Sequence, residues 1–159
     1  MRRSHLVLAL LIAPLAASPG CGKSGNTVWV TGKLLKGGTV YVPPKDRTVN
    51  VTFVGLEIQD SSGKTSQSGE QFWAEVDQAK GTFTVPGTDR QGIPPGKYRV
   101  AVTQKMTREA FSAANPKPKK DVNRETDLLK DRFGAGTSPI VREVKSSGEL
   151  VVDLDKPTD

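Results

Sequence analysis

"GTFTVPGTDRQGIPPGKYRVAVTQ", residues 81–104, decides the fold. Its second half alternates: Tyr98, Val100 and Val102 fall on one side of an extended chain, and Arg99, Ala101 and Thr103 fall on the other. A period of two over an apolar run is the signature of a strand with one buried face. Pro94-Pro95-Gly96 ahead of it reads as a turn, with Pro95 fixing φ. Gly81 opens the first half, where a tight hairpin needs a residue that accepts positive φ. Tyr98 is expected to start its strand with the ring toward the core and the hydroxyl near the rim.

Outward from this stretch the punctuation stays that of a β protein. "VWVTGKLL" (28–35) is rich in β-branched and apolar residues and ends at the turn "KGG"; a short "TVYV" (39–42) then meets Pro43-Pro44. "VNVTFVGL" (49–56) alternates Val49, Val51 and Phe53 against Asn50, Thr52 and Val54. "DSSGKTSQSGE" (60–70) is a polar loop or hairpin tip. "QFWAEV" (71–76) puts Phe72, Ala74 and Val76 on one side and Trp73 and Glu75 on the other, with Asp77 continuing that second side. After Gln104 the pattern breaks. Residues 106–114 suit a short helix, the run "NPKPKK" (115–120) suits a solvated loop, and "ETDLLKDRFG" (125–134) offers one or two helical turns ended by Gly134. Strands return in "PIVREVK" (139–145) and "ELVVDLD" (149–155). About seven strands in one domain, residues 27–155, predict an all-β antiparallel sandwich with a short helical insert before the last two strands. Residues 156–159 form a tail.

The strand, the Pro-Pro-Gly-Lys-Tyr turn and the strand that follows resemble the carboxypeptidase regulatory-like, or transthyretin-like, domains. "LLKDRFGAGTSPIVREVKSSGELVVDLD" (128–155) is similar to the tail of small planctomycete-type bacterial lipoproteins of that kind. The resemblance covers most of residues 28–155 and implies a transthyretin-like sandwich; it implies little about function. The turn "DQAKG" and the insert at 106–123 depart from the family pattern. Two enzyme classes are known on such folds. Hydroxyisourate hydrolases use histidines and a Tyr-Arg-Gly-Ser terminus, whereas this sequence ends "DKPTD". Intradiol dioxygenases hold iron with tyrosines and histidines, and the tyrosines here are Tyr41 and Tyr98.

The N-terminus reads as a secretion signal over residues 1–20. Arg2 and Arg3 supply the positive start, Leu6 to Leu15 the apolar run, and Ala16, Ala17 and Ser18 the small-residue end. Pro14 interrupts the run, which is shorter than the roughly 20 apolar residues a spanning helix needs. Two cuts are open. Cleavage after Ser18 would leave Pro19 first and give a secreted protein. Cleavage before Cys21, with Gly20 ahead of it, resembles the bacterial lipobox, although Ser18 and Pro19 stand where Leu and Ala or Ser are usual. Cys21 is then the lipidation site, followed to residue 26 by a Gly/Ser/Lys tether of flexible-linker composition. Several acyl chains on one cysteine suffice for stable anchoring. Gly22 after the cysteine is compatible with outer-membrane sorting.

Composition bounds the chemistry. Cys21 is the single cysteine and His5, in the signal segment, the single histidine. Cleavage therefore removes the imidazole that serine or cysteine triads and His-containing zinc sites require. An intramolecular disulfide is impossible. Without Arg2 and Arg3 the 23 basic residues become 21 against 17 acidic, a net charge near +4. That mild excess, with a secretion signal, argues against nucleic acid as partner. The expected partners are the membrane, through the anchor, and an envelope protein or polysaccharide. No cofactor is expected.

Candidate binding residues are few. Trp29 and Trp73 are possible sugar platforms, although two tryptophans in one domain usually go to the core or rim. Glu75 and Asp77, two apart on a strand, could share a calcium ion with Glu70 or Asp60, or serve as a carboxylate pair for hydrolysis; a solvated strand face is the commoner role. An exposed edge strand could also take a partner's strand. The expectation is a non-enzymatic, lipid-anchored envelope module with a structural or binding role.

Overall fold

The computed structural model describes residues 26–116 and 126–158. The signal segment, Cys21, the tether up to residue 25 and the basic run 117–120 lie outside them. The described residues form two facing sheets. The first contains β10 (Gly148–Asp153), β1 (Val30–Lys36), β7 (Thr82–Val85) and β6 (Glu75–Asp77) in that order, with β2 (Thr39–Val40) also on β1. The second runs β4 (Thr65–Gln67), β3 (Arg47–Gln59), β8 (Gly96–Met106), β9 (Val141–Val144), with β5 (Gln71–Trp73) on β3 beside β4. The single α-helix among the described residues, α1 (Arg108–Ala114), follows β8 and precedes β9 and β10. Thr107 caps it by accepting from the Ala110 N–H at 3.2 Å.

The sandwich expected from the alternating runs is therefore present. The β3–β8 pair is its spine, in register from Arg47↔Met106 to Ile58↔Gly96 with one irregularity between Gly55 and Glu57. Val49, Val51 and Phe53 of β3 lie beside Tyr98, Val100 and Val102 of β8 on the buried face of the second sheet. The first sheet supplies Val30, Leu34, Phe83, Val85 and Val152 to the same core. Aromatic rings bridge the sheets: Phe53 lies 6.0 Å from Phe83 between ring centroids. All pairings between named strands are antiparallel except β1–β10, which is parallel from Val30↔Gly148 to Leu35↔Asp153. It arises because the chain changes sheets in the short turn after β9 instead of folding back beside it.

Three local expectations differ from the structure. "QFWAEV" is not one strand: β5 pairs with β3 in the second sheet, and β6 pairs with β7 in the first. Ala74, whose N–H still reaches the Val51 carbonyl at 2.9 Å, is the corner where the chain crosses. The polar run at 60–70 contains a strand, β4, held by the Asp60 carboxylate, which accepts from Ser62 N–H at 2.8 Å and Lys64 N–H at 3.0 Å. Residues 128–133 form turns, not helix, with Lys130 and Asp131 both at φ 56°.

The last difference has a physical cause. β9 covers β8 only from Gly96 to Arg99, which leaves the rest of that edge with unpaired backbone groups. The segment before β9 supplies them. The Ile140 and Phe133 carbonyls accept from Val100 and Val102, each at 2.9 Å, and the Gln104 carbonyl accepts from Leu128 at 2.7 Å. The Asp127 carboxylate accepts from the Gln104, Leu129 and Asp131 N–H groups at 2.8, 3.0 and 3.0 Å. Between those contacts positive φ at Lys130 and Asp131 breaks the helical path, and the segment closes by i to i+3 bonds instead, Lys130 N–H to the Asp127 carbonyl at 3.1 Å and Arg132 N–H to the Leu129 carbonyl at 3.2 Å.

Two glycines are dictated by space. Gly81, at φ 64°, stands just before β7 where a Cβ would lie 2.4 Å from the Tyr41 carbonyl oxygen. Gly32, in the middle of β1, leaves room for the Phe83 ring: a Cβ there would meet Cζ of Phe83 at 2.4 Å and the Leu150 carbonyl oxygen at 2.5 Å. Gly32→Ala is expected to cost about 1–3 kcal/mol through overpacking. Urea denaturation measures it, and a change below about 0.5 kcal/mol, the ordinary surface value, would contradict this packing.

Candidate functional site

The chain enters β1 at one end of the sandwich. Strand directions place the turns 60–64, 86–95 and 145–147 at that end, since β3, β7 and β9 run toward it and β1, β8 and β10 run away. The opposite end holds the loop after β2, the β6–β7 turn and α1. The candidate residues are spread over several of these surfaces.

The two tryptophans are not in the core. Trp29 is 45 % exposed and Trp73 68 % exposed. Trp29 precedes β1 between inward-facing Val28 and Val30, so its indole takes the outer side of the first sheet. Trp73 lies on β5, where Phe72 points inward and fills the aromatic core in its place. It pairs with Thr52, and Thr52 in turn with Ala101. Thr52, Asn50, Val54 and Gln71 share its outward face by alternation with buried Val51, Phe53 and Phe72. An indole plane with hydroxyl and amide groups around it offers what a pyranose ring needs: an apolar platform for its C–H face and polar partners for its hydroxyls.

Glu75 and Asp77 sit on the outer face of the first sheet, paired with Thr84 and Thr82. Each carboxylate has its own cation: Arg90 Nη2 at 3.7 Å from Glu75 and Lys80 Nζ at 2.9 Å from Asp77. Asp77 also closes the β6–β7 turn by accepting from the Ala79 and Lys80 N–H groups at 3.1 Å. The Lys80 side-chain bond holds the Asp77 carboxyl below its ordinary value of 3.8, against a smaller opposing effect of burial, and Asp77 raises Lys80 above 10.5 in return. A general acid requires the opposite shift. Asp60 lies in the β3–β4 turn at the other end of the molecule, occupied with Ser62 and Lys64. Among the described residues no three of His, Cys, Asp or Glu converge as a metal site.

Hollows among the described residues include one of about 490 Å³ with a mostly apolar lining, Val42, Pro43, Pro44, Arg47, Ala79 and Thr107 among others, at the end opposite the chain entry. Gln78 forms part of its floor and clamps β3 beyond the reach of β5: its amide accepts from Val49 N–H at 2.9 Å and donates to the Val49 carbonyl at 2.7 Å. The Pro43-Pro44 pair signalled only a strand end in the sequence, and nothing in it pointed to Gln78. A hollow of about 220 Å³ lies under the β9–β10 turn, and one of about 160 Å³ between Glu70, Phe72 and Asp89. None of these three is lined by Trp29, Trp73, Glu75 or Asp77.

The edges offer a partner strand little. Strand β10 has its Val151 carbonyl occupied by Arg142 Nε at 3.2 Å, and the β8 edge beyond β9 is covered by residues 127–140. Strands β4, β5 and β6 are three residues each. Comparison with protein-family models, curated proteins and solved structures finds no match to the chain.

Because its folded value is depressed, Asp77 contributes stability that is present above 3.8 and lost as pH falls through the lower folded value. NMR titration of its carboxyl carbon is expected to give a midpoint below 3.8, moving up toward it in Lys80→Ala. A native midpoint at or above 3.8 would contradict the turn geometry.

Proposed function

We propose that this protein is a non-enzymatic binding module held at a bacterial envelope by lipid on Cys21, with the outer face around Trp73 as its saccharide-binding surface. The single observation that carries the binding reading is Trp73, 68 % exposed on a regular strand. Folding buries such a ring for roughly 1.5–3 kcal/mol when it can, and here neighbouring Phe72 takes the core position. The polar groups on the same face, Thr52, Asn50 and Gln71, suit sugar hydroxyls better than an apolar partner. The anchor reading rests on the apolar leader and the lone cysteine after Gly20. Membership of the transthyretin-like lipoproteins is proposed on the Pro-Pro-Gly-Lys-Tyr turn and the 128–155 tail. The carboxylate-pair hydrolase has less support, since Glu75 and Asp77 each face a cation on open surface.

Intrinsic fluorescence during titration with β-1,4-linked N-acetylglucosamine oligomers, and co-sedimentation with peptidoglycan, test the binding reading. Binding is expected in one or both assays, weakened at least about tenfold, or 1.4 kcal/mol, by Trp73→Ala and unchanged by Trp29→Phe. Equal binding by Trp73→Ala, or no binding to either saccharide, would contradict it.

A further inference from the structure

Trp29 is placed differently from Trp73. It stands three residues after Asn26, the first described residue, at the end of the sandwich where the chain enters. Its backbone is fixed on both sides: the N–H donates to Ser147 Oγ at 2.9 Å, and the carbonyl accepts from Gly148 N–H at 3.1 Å. The backbone from which the half-exposed indole projects is thus held by the β9–β10 turn. Fixing an amphipathic ring at a surface has a use where that surface meets an environment that is apolar on one side and wet on the other.

Covalent geometry supplies that environment if Cys21 carries lipid. From Cys21 to Asn26 are five residue steps, which cannot exceed about 18 Å even fully extended, and Trp29 lies within about 29 Å of the cysteine along the chain. β1 runs away from this point, so the tether end is the part of the fold held nearest the bilayer. Indole rings favour the headgroup layer, where the ring meets acyl chain and the N–H stays hydrated.

We infer that Trp29 rests in the headgroup layer of the bilayer that holds the anchor, so that the entry end and the outer face of the first sheet lean on lipid while the outer face of the second sheet is turned away from it. This rests on the proposed anchor at Cys21. Trp73 lies at much the same height along the strands, since Glu75, two residues after it, pairs with Thr84 and Thr84 with Thr31, but it is on the outer face of the other sheet, about 10 Å away in sheet spacing alone. With the outer face of the first sheet turned toward lipid, the face proposed for saccharide stays open.

The two tryptophans make the test self-contained. Protein purified from its native membrane is reconstituted into phosphatidylcholine–phosphatidylglycerol vesicles containing a lipid with a nitroxide quencher in its headgroup. Flotation with the vesicles, compared with Cys21→Ala, reports the anchor. Trp73→Phe then leaves Trp29 as the only indole, and Trp29→Phe leaves Trp73. Both are expected to float, with Trp29 emission shifted to the blue and quenched at least about threefold more than Trp73. If Trp73→Phe does not fold, wild-type emission less that of Trp29→Phe gives the Trp29 signal. Flotation with Trp29 quenched no more than Trp73 overturns the inference and leaves the anchor standing. Failure of the wild type to float overturns both.

Discussion

A tyrosine ring can be buried completely only where its hydroxyl finds a partner, and Tyr98 has such a place. It is 0 % exposed, its ring is edge-on to Phe53 and Phe72 at 6.0 Å between centroids, and its hydroxyl donates to the Pro94 carbonyl four residues upstream. This one side chain ties the Pro94-Pro95-Gly96 turn to the strand it starts. The β3–β8 register follows from where β8 begins. Through Phe53 the aromatic contacts continue to Phe83 of the other sheet, and Phe83 in turn requires Gly32 in β1. Burial, with a smaller contribution from Glu70, raises the Tyr98 phenol above its ordinary 10.0. Its contribution to stability is therefore complete below that pH and lost as pH rises beyond it.

What the sequence made legible were elements whose side chains alternate against a single core. Val49, Val51 and Phe53, then Tyr98, Val100 and Val102, announced β3 and β8 because each faces one buried layer along its length. The elements it concealed obey long-range demands. "QFWAEV" keeps an even alternation across Ala74 while its hydrogen bonds pass from one sheet to the other, and alternation alone carries no trace of which strand is the partner. "LLKDRF" has helical composition, but its two ends are tied to the uncovered edge of β8 and its middle passes through positive φ at Lys130 and Asp131. Asp127, which organises that segment, looks in sequence like any loop aspartate.

The residues of the candidate site could be named in the sequence but not placed. Both tryptophans were singled out as recognition residues, but the usual expectation of burial fails because Phe53, Phe72, Phe83 and Tyr98 already fill the aromatic core. The acidic pair was read as one feature, yet Glu75 and Asp77 have separate cations and Asp77 is engaged in a turn. The apolar groove depends on the loop after β2, the β6–β7 turn and the start of α1 meeting at one end, an arrangement with no local signature.

If Tyr98 joins turn, strand and core in this way, removing its hydroxyl alone must be felt. Tyr98→Phe keeps the ring contacts and leaves the half-buried Pro94 carbonyl without this donor, so urea denaturation should show a loss of about 1–1.5 kcal/mol with an unchanged m-value. Stability within about 0.5 kcal/mol of wild type would mean that the turn and β8 hold their register without this bond, and Tyr98 would not be the side chain on which the rest of the sandwich depends.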